Sequence, residues 1–285
     1  MQAQLDSLLQ QTWSNIEIII SDDHSSDGTI EILNSYASDP RFRIFYQDRN
    51  LGAVDNFEFA TRQATGDYLA FCDQDDIWLP EKLEKLSAAI GDHVLVYCDS
   101  ILIDENGLSL QRKLSDLRHM YSGKETRGFV FSNTVWGHAV LVKRELLPHA
   151  LPIPAGIPHD IWVAVKAAAL TGIIYLDTPL TLYRQHDKTV TTTLAQKAAT
   201  RPHEKRYRDF EEKLRWIELL RDNAGDDQPF FNELLRLYAE KSRGSFVWAL
   251  FFFLLKHQES MFSFTRKSLP SRLIEIRKQS RGEHR

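Results

Sequence analysis

Residues 16–23 read IEIIISDD and residues 67–78 read DYLAFCDQDDIW. Each is a short apolar run that stops abruptly in acids. The spacing predicts that residues 16–20 form a strand buried on both faces, with Ser21, Asp22 and Asp23 at its carboxyl end. Outward from it, residues 27–36 predict a helix with Ser25 or Ser26 near its N-cap, residues 41–46 a strand by alternation, and residues 54–64 a second helix. Residues 67–72 predict another strand, ending in Asp73, Asp75 and Asp76. Pro80 then opens a helix that runs to Ile90, proline being favoured in a first turn, and residues 93–98 predict a strand again. Strand and helix units in this rhythm predict an α/β fold, a mostly parallel sheet flanked by helices on both faces.

Downstream, Asp104, Glu105, Asn106 and Gly107 mark a turn, residues 161–170 a strong helix, and residues 172–176 and 181–183 two strands. After Thr193 the character changes. Residues 201–221 and 230–241 are charged and amphipathic, residues 246–255 read FVWALFFFLL, and the tail is basic. This predicts a boundary near residue 195, with one domain over 1–195 and a helical region over 196–285. The apolar run is ten residues long, half of the roughly 20 needed to cross a hydrocarbon core. It predicts a buried helix or one lying in a membrane surface. Near the N-terminus, Leu5, Leu8 and Leu9 have helical spacing, and no basic segment of the kind that opens a signal peptide precedes them.

The composition is that of an ordinary globular chain. Of 285 residues, 43% are hydrophobic and 26% charged, and the net charge of -4 argues against a general affinity for nucleic acid. Cys72 and Cys98 each sit in an apolar run, as reduced core thiols of a cytoplasmic protein do. In an open sheet, ligands bind at the carboxyl ends of the strands, and here those ends are acidic. A lone Asp there often caps a helix or makes a turn. Several acids after one strand repel one another unless donors or a cation offset them. A hard divalent ion, Mg²⁺ or Mn²⁺, held by oxygen ligands and a diphosphate would do so.

Taken together, the run from Ser21 through Thr29, then Asn50, Leu51, Gly52 and Asn56, then Gly66, Asp67 and Tyr68 followed by Asp73, Gln74, Asp75, Asp76, Ile77 and Trp78, resembles the inverting family 2 glycosyltransferases of GT-A fold. His159-Asp160-Ile161-Trp162 and Tyr183-Arg184-Gln185-His186 make it most similar to rhamnosyltransferase-like members that build bacterial surface polysaccharide. The resemblance covers roughly residues 1–190. It implies that Asp22, Asp23, Asn50, Asn56 and Asp73 bind the nucleotide sugar, a dTDP- or UDP-sugar, with Asp23 accepting from the base and Asp73 facing the ribose or the sugar. It implies that Asp75 binds the metal, with His186 a further metal or phosphate contact. Asp160 would be the general base on an acceptor hydroxyl of a glycan or lipid-linked glycan. Asp160 opens a helix, whose dipole favours a low pKa there.

Family members usually begin with an apolar strand ahead of the first helix, whereas this chain starts at Met1 inside that helix, which reads as an N-terminal truncation. Three rivals remain beside the transferase reading. A nucleotidyltransferase would want a basic glycine-rich loop, and none is found. A catalytically defective GT-A protein would bind a glycan or nucleotide sugar without turnover. A membrane-surface adaptor would act through the basic residues of 241–285, and as an attachment to the enzyme would place it at the cytoplasmic face of the inner membrane.

Overall fold

In the computed structural model, which describes residues 1–185 and 202–283, the chain divides into two compact units. The first comprises Met1–Leu117, Ser122–Lys124 and Val135–Gln185; the second comprises Arg118–Tyr121, Glu125–Thr134 and His186–Arg285. The boundary expected near residue 195 lies outside the described residues. Residues 118–121 and 125–134, read from sequence as part of the first domain, pack with the C-terminal helices instead.

The first unit opens with helix α1 (Gln2–Leu9) and strand β1 (Ile18–Asp22). Helix α2 (Thr29–Tyr36) leads to β2 (Phe42–Tyr46), which pairs with β1 in parallel from Ile18↔Phe42 to Asp22↔Tyr46. Helix α3 (Ala53–Gln63) and the short strands β3 (Tyr68–Leu69) and β4 (Ile77–Trp78) bracket the acidic stretch, and α4 (Lys82–Ala89) follows. Then come β5 (Leu95–Ile103), β6 (Ser109–Lys113), α5 (Leu114–Leu117), β7 (Val140–Lys143), α6 (Leu147–Ala150), α7 (His159–Leu170) and β8 (Ile173–Arg184).

The α/β fold class stands, but the sheet is mixed rather than mostly parallel. Strands β1 and β2 form a separate two-stranded sheet, and the second sheet runs β3-β7-β5-β8-β4 with β6 on β5. Only β5–β8 is parallel in it. The physical reason is local. At Asp104–Gly107 the chain turns back on itself, with Gly107 at φ +86°, so β6 returns antiparallel along β5. Strand β7 then slots between β3 and β5 against the direction of both.

Strand β5 runs five residues past Cys98 because Asp99, fully buried, is satisfied: its carboxylate accepts from the Ser100 amide and from both the amide and hydroxyl of Ser115. Strand β8 continues through Pro179 because its register against β5 shifts at Cys98–Ser100. Two apolar clusters hold the unit. Leu86, Ile90, Val96, Leu141 and Leu180 pack α4 onto the larger sheet. Leu5, Leu8, Ile18, Leu33, Phe42 and Trp78 join α1 and α2 to β1, β2 and β4. Both cysteines are free thiols.

The second unit contains helices α8 (Pro202–Asp222), α9 (Gln228–Ala239), α10 (Trp248–Lys256), α11 (Gln258–Met261) and α12 (Leu269–Gln279). The segment 125–134 is fixed there by the Arg127–Asp227 ion pair and by the Trp216 indole, which donates to the Phe129 carbonyl at 2.9 Å. Gly128 lies directly on Ser263 and Phe264; a Cβ added to it would come within 2.6 Å of the serine hydroxyl and 2.7 Å of the phenyl ring. Gly128→Ala should therefore overpack this core and cost about 1–3 kcal/mol, read as a lower thermal midpoint of unfolding.

Candidate active site

The sequence-expected residues gather at the carboxyl end of β1 and around the turn between β3 and β4. Asp22 is buried and accepts from the Ser25 amide at 3.0 Å, closing the turn after β1. The carboxylate of Asp23 reaches across to the loop before α3, taking the amides of Leu51 (2.5 Å) and Gly52 (2.9 Å), while Asn50 donates its side-chain amide to the Asp23 carbonyl. Gly52 has φ +85°, a conformation glycine adopts without strain. Asn56 donates to the Ser21 carbonyl at 2.8 Å and accepts from the Ser21 hydroxyl. A cavity of about 530 Å³ opens beside these groups, lined by Asp22, Asp23, Asn56 and Gln74 among others.

On the other side, three groups converge. The Nδ1 of His138 lies 3.7 Å from Asp76 Oδ2 and 3.9 Å from Asp73 Oδ2. Candidate ligand atoms of Asp73, Asp76 and His138 all fall within 4.8 Å of one another. Asp76 is buried; its Oδ1 accepts from the Arg184 amide at 3.0 Å, and its Oδ2 is buried without a hydrogen-bond partner among the described residues. Burial, with the Asp73 and Asp75 carboxylates adding, pushes Asp76 up to about 7 although the Arg184 amide opposes. Partial burial and the neighbouring Asp75 and Asp160 carboxylates push Asp73 up to about 6, with Lys82 opposing. His138 is buried, its Nε2 lies 3.0 Å from the Ser100 hydroxyl, and its ring stacks on Tyr183 at 4.3 Å. Burial and the nearby Lys82 ammonium lower it to about 3, so it stays a neutral imidazole with a ring nitrogen towards the acids.

Two cations hold this arrangement. Lys82 is fully buried over the Trp78 ring at 3.5 Å and donates to the His138 carbonyl. Burial depresses it to about 8, while Asp76 and Asp73 act the other way. Arg184, ending β8, donates Nε to the Asp75 carbonyl at 2.8 Å and Nη1 to the carbonyls of Asp104 and Glu105. One guanidinium thus ties the acidic turn to the β5–β6 hairpin.

Asp160 sits in the first turn of α7 and accepts from the Ile161 amide at 2.7 Å. Its pKa is not held low by the helix, as the sequence suggested. Burial pushes it up to about 6 against hydrogen bonds from the Ile161 and Gly137 amides. Gly137 makes the approach possible, since a Cβ there would stand 2.6 Å from His159 Nε2. His138 and the start of α7 therefore meet with no side chain between them. His159 stacks on Phe57 at 4.0 Å, which fixes the entry into the helix.

The structure thus brings Asp73, Asp75, Asp76 and Asp160 to one site, with Asp22, Asp23, Asn50 and Asn56 around the end of β1 and the loop before α3. His186 lies outside the described residues. The sequence reading assigned no role to His138, Lys82 or Gly137, and none to Asp76 beyond the cluster. For Asp76 a signal existed: it stands two residues before Trp78, just ahead of the strand that begins at Ile77, and Trp78 is core. His138 lies in the irregular segment before β7, where no periodicity marks an inward side chain.

A model of glycosyl transferase family 2 matches residues 2–149. A Bacillus subtilis protein named "Putative glycosyltransferase EpsH" is 30% identical over 199 residues, covering 64% of this chain and 56% of that protein. The "Putative teichuronic acid biosynthesis glycosyltransferase TuaG" of the same organism is 44% identical over 80 residues, 28% of this chain and 32% of that one. Among solved structures, S. aureus TarS 1-349 in complex with UDP-GlcNAc superposes with a TM-score of 0.59 at 19% identity, covering 96% of this chain and 74% of that chain. That likeness is one of fold.

A carboxyl that holds its proton more tightly in the folded chain than in the unfolded one favours folding at low pH. That advantage is lost as pH climbs from the ordinary carboxylate value near 4 to the folded value of about 7 for Asp76. Asp76→Asn keeps the acceptor for the Arg184 amide and removes the charge. The variant should therefore gain thermal stability over the parent at pH 8, by a few degrees on the order of 1–2 kcal/mol, with the gap closing towards pH 5. Thermal melts across that range measure it.

Proposed function

The chain belongs to glycosyl transferase family 2, and on that premise we propose that it moves a sugar from a nucleotide diphosphate sugar to a hydroxyl of a glycan or lipid-linked glycan in bacterial surface polysaccharide synthesis. The observation that carries the reading is the convergence of Asp73, Asp76 and His138, with Asp160 near enough to Asp73 to raise its pKa. One side can hold the leaving group's charge while the other takes a proton.

The end of β1 and the loop before α3 supply the donor's nucleoside floor, with Asp23 holding the loop and Asn56 the strand end. The nucleotide is uridine or thymidine: the resemblance of the motifs favours a dTDP-sugar such as dTDP-rhamnose, and the UDP-GlcNAc bound by TarS favours a UDP-sugar. The donor set of the acidic corner, two carboxylates and a neutral imidazole with one carboxylate oxygen unpartnered, fits Mg²⁺ or Mn²⁺. Asp73, Asp76 and His138 would hold the ion, with Asp75 next to them. Such an ion offsets the charge that develops on the departing diphosphate.

Asp160 acts as base. Its carboxylate, partly buried and aimed by the Ile161 and Gly137 amides, accepts the proton of the acceptor hydroxyl as that oxygen attacks the anomeric carbon opposite the leaving group, which inverts the configuration. Because the ionised form is the active one, the rate falls as pH drops through about 6.

Asp160→Asn should lower kcat by about 10²–10⁴ and abolish that acid limb while donor affinity stays unchanged. Retention of more than about a tenth of the rate would move the base elsewhere. Asp76→Asn should remove the metal dependence of nucleotide diphosphate binding in calorimetry. Equal affinity of the parent chain with chelator present would refute the metal assignment.

A further inference from the structure

The transfer proposed above is assigned to residues of the first unit, and the second unit carries exposed apolar groups of its own. Trp248 and Phe252, one turn apart on α10, are 63% and 60% exposed, and their rings stack with centroids 6.2 Å apart. On α12, Leu269 and Ile274 are 58% and 70% exposed. Only Leu250 and Leu254 of α10 and Ile276 of α12 are buried. The two helices pack on one another, joined by the Val247 amide donating to the Ser280 carbonyl. Large apolar side chains exposed on two adjacent helices mark an interaction surface.

Charge identifies the occupant. Residues 241–285 hold ten Lys or Arg against three Glu, although the whole chain has a net charge of -4. On α12, Ile274, Arg277 and Lys278 share the outward side at helical spacing, and Arg281 is exposed just beyond its end. Aromatic and aliphatic side chains interleaved with cations on exposed helix faces suit the boundary of an anionic bilayer. No described helix is long and apolar enough to cross a membrane, so a helix of nine residues such as α10 lies along the surface. A nucleic acid would use the cations and leave the exposed Trp248 and Ile274 in water.

We propose that the exposed faces of α10 and α12 form a docking surface for an anionic lipid bilayer, with Trp248 and Phe252 entering the headgroup region and Arg277 and Lys278 facing lipid phosphates. This rests on the surface itself and is independent of the transferase reading.

The test is sedimentation of the full chain with phosphatidylglycerol-containing vesicles and with pure phosphatidylcholine vesicles. The parent chain should bind the anionic vesicles at low salt, release at high salt as screening sets in, and leave the neutral ones unbound. Arg277→Gln with Lys278→Gln should weaken partitioning about 30-fold, two cations' worth of surface attraction. Trp248→Ser with Phe252→Ser should weaken it as well. UDP and dTDP affinity should be the same in all three proteins, so a failure here is distinguishable from a failure at the active site. Should the aromatic variant not fold, the charge variant alone decides. No binding by the parent, or undiminished binding by the charge variant, overturns the proposal. So does a parent dimer that the aromatic variant dissociates, because a second copy would then cover the face.

Discussion

Burying two carboxylates beside each other is the constraint on which the rest of this structure depends. Asp73 and Asp76 cannot share a partly dry corner without compensation, since Asp73 and Asp75 oppose ionisation of Asp76 while Asp75 and Asp160 oppose that of Asp73. The compensation comes from opposite directions. Lys82 enters from α4 beneath the site, fully buried, with the Trp78 ring and the His138 carbonyl as its shell. Arg184 arrives from the end of β8 and holds the turn by its backbone. Arg184 is there because β8 runs parallel to β5 as far as Ile103↔Arg184, and Lys82 because α4 packs on the same sheet through Leu86 and Ile90. The long central strands are thus the means by which an acidic corner is kept in place without ligands.

The same economy shapes the approach of Asp160. Gly137 allows the segment bearing His138 to pass against the start of α7, and its amide hydrogen bonds with Asp160. Position in a helix's first turn would lower a carboxyl's pKa by a fraction of a unit to about one unit in water. Desolvation outweighs that here, and the group settles at about 6. For a proton acceptor working near neutrality that is a better match than an ordinary carboxylate.

The parts of the molecule legible in its sequence are those governed by local rules. Helices α2, α3, α4 and α7 fall within two residues of their expected starts, because apolar spacing and Pro80 mark them. The acids at the ends of the β1 and β3 stretches were visible as breaks in apolar runs. Strand direction was not, because an alternation of strand and helix does not reveal that β7 inserts between β3 and β5. Nor was the extent of β5, since Asp99 and Ser100 look like a strand end until Ser115 is known to satisfy them. His138 and Lys82 were illegible for a related reason: their importance lies in contacts across 56 residues of sequence.

The division of the first unit into two sheets bears on how its two walls respond to one another. Strands β1 and β2 share no ladder with the larger sheet. The hydrogen bonds around that junction run largely through side chains of the flanking segments: Glu17 accepts from the Thr65 and Gly66 amides, Gln11 donates to the Leu79 carbonyl, and the Trp78 amide donates to Ser7, with the Thr12 amide on the Pro80 carbonyl beside them. A joint of that kind can part without melting either sheet. The wall carrying Asp22 and Asn56 is held to the acidic wall by those bonds and by the apolar cluster around Ile18, Phe42 and Trp78 rather than by a strand ladder, so amide exchange in β1 and β2 should be faster than in β5 and β8 within a single folded chain.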